Sequence, residues 1–139
     1  MKILFLCKGN VGRSLFAERM YNKLTNSNDA ISAGTKISPE NFNKTLKEQL
    51  PTSANVIQVM AEEDIDVSNH IRKVITSEMV KEADILIDMA QQDTVPDFVL
   101  KHPKYIRWEV DDPAGTDLET HRRVKNEVKK KIIETFIEN

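Results

Sequence analysis

The chain has 139 residues, 40% hydrophobic and 30% charged, with a net charge of −2. That length makes one domain with a real core, residues 1–139, and the charge balance excludes nucleic-acid binding by bulk electrostatics. A single cysteine excludes an internal disulfide or a multi-cysteine metal site. No stretch has the length of a signal peptide or a membrane span, so no membrane partner is expected. The expected location is the cytoplasm, where a lone thiol stays reduced.

Residues 2–7 are a continuous apolar run, the pattern of a parallel strand covered on both faces. Leu15, Phe16, Met20 and Leu24 then repeat at helical spacing, among the good helix formers Ala17, Glu18 and Arg19. Residues 25–29 turn the chain into a short second strand, 30–34, bounded by turn residues. Between 35 and 53, Ser38-Pro39-Glu40 starts a helix carrying Phe42, Leu46 and Leu50, which Pro51 stops. Ser53 caps a further helix with Val56, Val59 and Met60 on one face, ending near Glu63. Residues 66–70 are a loop. Thr76 caps a short helix through Glu82, and 83–89 read as a third buried strand.

Residues 91–101 are expected to be helical, 105–108 to be a fourth strand, and Asp111 to Gly115 a loop. Thr116 and Glu119 read as a capping box for the last helix, where Val124, Val128, Ile132 and Phe136 keep i, i+4 spacing. Lys129-Lys130-Lys131 on that helix is a solvated face. Strands alternating with helices predict a doubly wound α/β fold on a four-stranded parallel sheet. Ligands in such sheets bind beyond the strand carboxyl ends. Cys7, Gly34, Met89 and the 111–115 loop share that rim.

The chemistry concentrates in Cys7-Lys8-Gly9-Asn10-Val11-Gly12-Arg13-Ser14, between the first strand and the first helix. A cradle for a tetrahedral oxyanion needs inward-facing amides, small residues that permit tight turns, and a helix N-terminus behind it. All three are present, with a thiol at the base. The loop amides, the helix start and Arg13 would stabilise negative charge, and the Ser14 hydroxyl can bond the sulfur. Arg13 can grip two equatorial oxygens of a transferring phosphoryl group in a fork. The competing view makes Cys7 a small buried hydrophobe, but its neighbours suit anion binding better than packing.

This stretch, continuing to Ala17-Glu18, resembles the low-molecular-weight protein tyrosine phosphatase superfamily, which includes the thioredoxin-coupled arsenate reductases. The similarity continues at residues 31–35, 65–70 and 83–89, and at Trp108 and Asp111-Asp112-Pro113-Ala114-Gly115. Residues 36–53 lack a clear counterpart. The resemblance implies a three-layer, flavodoxin-like sandwich. It implies that Cys7 attacks phosphorus to form a phosphocysteine, held by Arg13 and residues 8–14. It makes Asp112 the acid that protonates the leaving oxygen, with Asp111 facing away. Asn10, Ser32 and His70 match a hydrogen-bond network under the phosphate loop. Some arsenate reductases bind potassium near residues matching Asn10, Glu18, Ser32 and Asp66, but no metal or cofactor is expected here.

Two departures bear on the branch. Ala114-Gly115 stands where the eukaryotic-like phosphatases place aromatic residues, and the Asp-Asp-Pro-Ala-Gly string looks like the arsenate reductases. Those enzymes relay electrons through two further cysteines after the third strand, where this chain has residues 89–96 without one. One sulfur cannot complete an internal disulfide relay. Phosphate-ester hydrolysis needs only Cys7, Arg13 and Asp112. The expected activity is therefore a metal-independent phosphatase acting on a phosphorylated protein or a small phosphate. An arsenate reductase using an external thiol and a non-catalytic phosphoanion carrier are the alternatives. Lys8 at the lip favours acidic substrates, and Phe42 or Trp108 is either a pocket wall or core.

Overall fold

The computed structural model describes residues 1–138. Its centre is β1, Ile3–Cys7, buried along its whole length, as an apolar run without polar alternation requires. It is flanked by β2 (Ala30–Gly34) and β3 (Ile85–Asp88), with β4 (Tyr105–Arg107) beyond β3, in the all-parallel order β2-β1-β3-β4. The register runs from Ile3 opposite Ala30 to Cys7 opposite Gly34 on one side, and from Ile3 opposite Ile85 to Leu6 opposite Asp88 on the other. The chain order reverses at β1, so the crevice beyond Cys7 is the topological switch point.

Alternation along β1 sorts the core into two layers. Ile3, Phe5 and Cys7 face one side, with Phe16 of α1 (Arg13–Thr25), Met60 of α2 (Ala54–Ala61) and Val124, Val128 and Ile132 of α5 (Leu118–Ile132). Leu4 and Leu6 face the other, with Val80 of α3 (Ser77–Glu82) and Val99 of α4 (Asp97–Leu100). This is the doubly wound α/β sandwich. A π-helical turn, Ile133–Ile137, continues α5 and sets Phe136 edge-on to Tyr21 at 5.3 Å and to Phe5 at 6.5 Å. No helix among the described residues is long and apolar enough to cross a membrane.

Several local expectations are corrected. Residues 38–50 form no helix but two 3-10 turns, Pro39–Asn41 and Lys47–Gln49. Only Leu46 of the three spaced apolar residues is buried, while Phe42 and Leu50 are exposed. Asn43 turns left-handed (φ 64°), and the Leu46 N–H bonds the His70 carbonyl, so pairing with residues 68–71 overrides the helical spacing. Residues 91–101 divide at Pro96 into a 3-10 turn, Gln92–Thr94, and the short α4, since proline disfavours helical geometry before it.

The Ser53 hydroxyl donates to the Leu46 carbonyl (2.5 Å) instead of capping α2, which ends at Ala61. Asp117, not Thr116, caps α5 by accepting from the Thr120 N–H at 2.8 Å; the Thr116 hydroxyl donates to the Pro113 carbonyl. Leu24 lies on the surface. Thr76 caps α3 as expected, through the Met79 N–H.

Candidate active site

Cys7, the last residue of β1, is 2% exposed and opens directly into residues 8–12, after which α1 begins at Arg13. Asn10 takes the left-handed conformation, φ 53°, which asparagine tolerates best after glycine. Gly34 backs the loop so closely that a Cβ there would lie 2.7 Å from the Lys8 carbonyl oxygen and 3.1 Å from the Asn10 nitrogen. The N–H groups of Thr35 and Lys36 bond the Cys7 and Lys8 carbonyls, both at 2.9 Å. The end of β2 therefore braces the outer side of the loop.

Beneath the loop the hydrogen bonds have one consistent direction. The Asn10 side-chain amide donates to Ser14 Oγ at 3.0 Å and to Ser32 Oγ at 2.9 Å. Ser32 in turn donates to Glu18 Oε1 at 2.9 Å. With its oxygen engaged as an acceptor, Ser14 has its hydrogen for the Cys7 sulfur, 2.9 Å away. Asn10 Oδ1 accepts from the Lys73 N–H at 2.9 Å. His70 Nε2 faces two acceptors, the Asn10 carbonyl at 3.1 Å and Oδ1 at 3.2 Å, so that nitrogen carries the proton. Burial first, then the charge of Lys73, pushes the His70 pKa down to about 4, so the ring is neutral near pH 7. The other carboxylate oxygen of Glu18 takes Arg19 Nε, and Asp66 takes the Ser68 hydroxyl and N–H, so both carboxylates are already engaged.

Arg13 is 4% exposed. It donates through Nη1 to the Met89 carbonyl at 2.5 Å and the Val110 carbonyl at 3.3 Å, and through Nη2 to Gln91 Oε1 at 3.1 Å. Its Nη2 lies 3.6 Å from Asp112 Oδ2. Asp112 accepts from the Gln91 amide at 2.9 Å and from the Ala114 N–H at 3.0 Å. Partial burial acts to raise its pKa, but the Ala114 N–H, Arg13, Gln91 and Lys8 together hold it below the usual aspartate value. Asp111 points away, 3.4 Å from Arg123.

A cavity of about 260 Å³ joins these parts. Its lining includes Cys7, Lys8, Gly9, Val11, Gly12, Arg13 and Asp112. Asn10, Ser14, Ser32 and His70 lie behind it as supports. Trp108 is in the core beside Phe5, at 6.1 Å, and Phe42 is on the surface; the walls are instead Val56, Pro113, Ala114 and His121. The sequence reading missed Gln91, Lys36 and Arg72. Gln91 follows β3 onto the shared rim and was open to discovery by that rule; Arg72 had no such signal.

A buried thiol under a short loop at a sheet's switch point, faced by an arginine and a carboxylate, is the architecture of a cysteine-based phosphatase. The chain belongs to the low molecular weight phosphotyrosine protein phosphatase family, whose model matches residues 2–138. It is 31% identical over 128 residues to an arsenate reductase from Brevibacillus brevis, covering 91% of this chain and 87% of that protein. The low molecular weight protein tyrosine phosphatase from T. tengcongensis superposes with a TM-score of 0.75 at 28% identity, over 99% of this chain and 98% of that one. The YwlE arginine phosphatase from Geobacillus stearothermophilus shares the fold, with a TM-score of 0.73 at 21% identity, over 94% and 87% of the two chains.

Proposed function

We propose that this protein hydrolyses phosphomonoesters, with protein phosphotyrosine as the substrate class, through a phosphocysteine on Cys7. One observation carries the reading: a single cavity brings Asp112 together with Cys7 and Arg13 of the first loop, about a hundred residues earlier in the chain. The Cys7 thiolate attacks phosphorus while the bond to the leaving oxygen breaks, and Arg13 with the loop amides holds the equatorial oxygens. Asp112, protonated, gives its proton to the departing oxygen. The same carboxylate then takes a proton from water as that water attacks the phosphocysteine. Inorganic phosphate leaves, and the thiolate is restored.

Arg13 and Asp112 interact directly before substrate arrives. A phosphate dianion drawn to Arg13 competes for that guanidinium and adds a negative charge nearby. Both changes raise the Asp112 pKa towards the protonated form the first step needs.

A second reading, arsenate reduction completed by an external thiol, is favoured by the arsenate reductase named among the relatives. Against it, the lone sulfur cannot form an internal disulfide. Hydrolysis of p-nitrophenyl phosphate decides between them. Steady turnover abolished by Cys7→Ser supports the phosphatase. No turnover of any aryl phosphate, together with arsenate-dependent oxidation of added glutathione, overturns it.

A further inference from the structure

The cavity around Cys7 carries more positive charge than one phosphoryl group requires. Besides Arg13 it is lined by Lys8, Lys36 and Arg72, with Asp112 as its one carboxylate, in a chain whose net charge is −2. Arg72 stands apart from the other arginines. Arg13, Arg19, Arg107, Arg122 and Arg123 each have a carboxylate within 4.0 Å; among the described residues Arg72 alone has none. Lys8 and Lys36 also form no ion pair among those residues.

Arg72 is half-buried, and a buried cation without a counter-ion is costly. Burial lowers its pKa, opposed in part by negative charge at Cys7 and Glu40. It is nevertheless held firmly. Nε donates to the Gly9 carbonyl and Nη1 to Gln49 Oε1, each at 2.8 Å. Nη2 lies 3.0 Å from where a Cβ on Gly9 would stand and makes no hydrogen bond among the described residues. Gln49 comes from the connection between β2 and α2, which pairs with the Arg72 loop at Thr45 and Ile71. The connection between β2 and α2 thus helps build a cationic flank on the catalytic cavity.

We propose that Arg72, with Lys36 and Lys8, is a second anion subsite, and that the substrate is a phosphopeptide with a carboxylate beside the phosphorylated residue. The proposal rests on the phosphatase reading above. Lys8 and Lys36 are exposed at the mouth, so the flank runs onto open surface, which suits an extended chain better than an enclosed small molecule. Val56, Pro113 and Ala114 remain for the phosphorylated side chain itself.

The test compares kcat/KM for two phosphotyrosyl peptides that differ only in glutamate or glutamine next to the phosphotyrosine. The wild type is expected to prefer the glutamate peptide by about tenfold at low salt, the preference shrinking as salt rises. Arg72→Gln brings the ratio towards one. Because Arg72 also supports Gly9, Lys36→Glu separates charge from loop support, and it should invert the preference. A wild-type ratio of one overturns the subsite, as does an equal loss on both peptides in both variants. A small bisphosphate that competes better than the glutamate peptide overturns the peptide assignment. Turnover of p-nitrophenyl phosphate in parallel isolates the cause: its absence defeats the phosphatase reading, and its presence with a ratio of one defeats only the subsite.

Discussion

Arg13 and Asp112 approach to 3.6 Å across the rim, and the side chain of Gln91 joins them, accepting from one and donating to the other. The turn that carries Gln91 is itself fixed. Buried Asp88 accepts from the Ala90 N–H at 2.9 Å and from the Tyr105 hydroxyl at 2.5 Å, while Arg107 donates to the Ala90 carbonyl. The ends of β3 and β4 therefore set the position of both Arg13 and Asp112. Gln91→Ala removes one of the groups that hold the Asp112 pKa down. The acid then stays protonated to higher pH, so the alkaline limb of kcat/KM should move upward, with kcat reduced several-fold by the looser Arg13. An unmoved limb would mean that the bridge has no electrostatic effect on the acid.

Asp112→Asn keeps the shape of the side chain and removes its proton chemistry. General acid catalysis contributes roughly 10²–10⁴-fold when the leaving oxygen is basic. The loss should be large for phenyl phosphate and much smaller for p-nitrophenyl phosphate, whose leaving group departs without a proton. Equal losses on the two esters would assign Asp112 to positioning alone.

The parts legible in the sequence were those encoded locally. The apolar run of β1, the glycine-spaced loop after it and the spacing of α5 each carry their own signal. Asp112 was singled out by the resemblance of Asp112-Pro113 to the family's Asp-Pro motif, its place on the predicted rim only agreeing with that choice. The 38–50 segment was not legible, because its conformation is decided by backbone bonds to His70 and Ser68, some twenty residues on. Arg72 shares that origin, acting through a partner placed by the fold; the position of Gln91 on the rim was readable, but its contacts with Arg13 and Asp112 are made only in the fold. The cap of α5 shifted by one residue because Asp117 competes with Thr116 for the same role, and the Pro113 carbonyl takes the threonine hydroxyl.

Among the described residues, Ser14 is the one side chain hydrogen-bonded to Cys7. Its effect should appear in the second half of the reaction, when sulfur is the leaving group and recovers its negative charge. Ser14→Ala should slow breakdown of the phosphocysteine about tenfold or more, the scale of a lost charge-assisted hydrogen bond. The covalent intermediate should accumulate, and rapid mixing with p-nitrophenyl phosphate should give a burst of one nitrophenol per protein. Loss of the burst with a slow first turnover would place the hydroxyl in the attack step instead.

His70 ties the stability of the loop to pH. Its pKa falls from 6.5 to about 4 on folding, chiefly through burial. Between those values the unfolded chain binds the proton and the folded protein does not, so acid favours unfolding. The contribution of the neutral ring is complete above pH 6.5 and is lost progressively as pH falls towards 4. His70→Gln retains a donor for the Asn10 oxygens but cannot titrate. The variant should be less stable than the wild type at pH 7.5, because the packed ring is lost. That deficit in thermal midpoint should narrow steadily as pH falls from 6.5 to 4. A deficit constant across the range would show that the ring titrates alike in the folded and unfolded chains, and would remove His70 as the source of acid sensitivity.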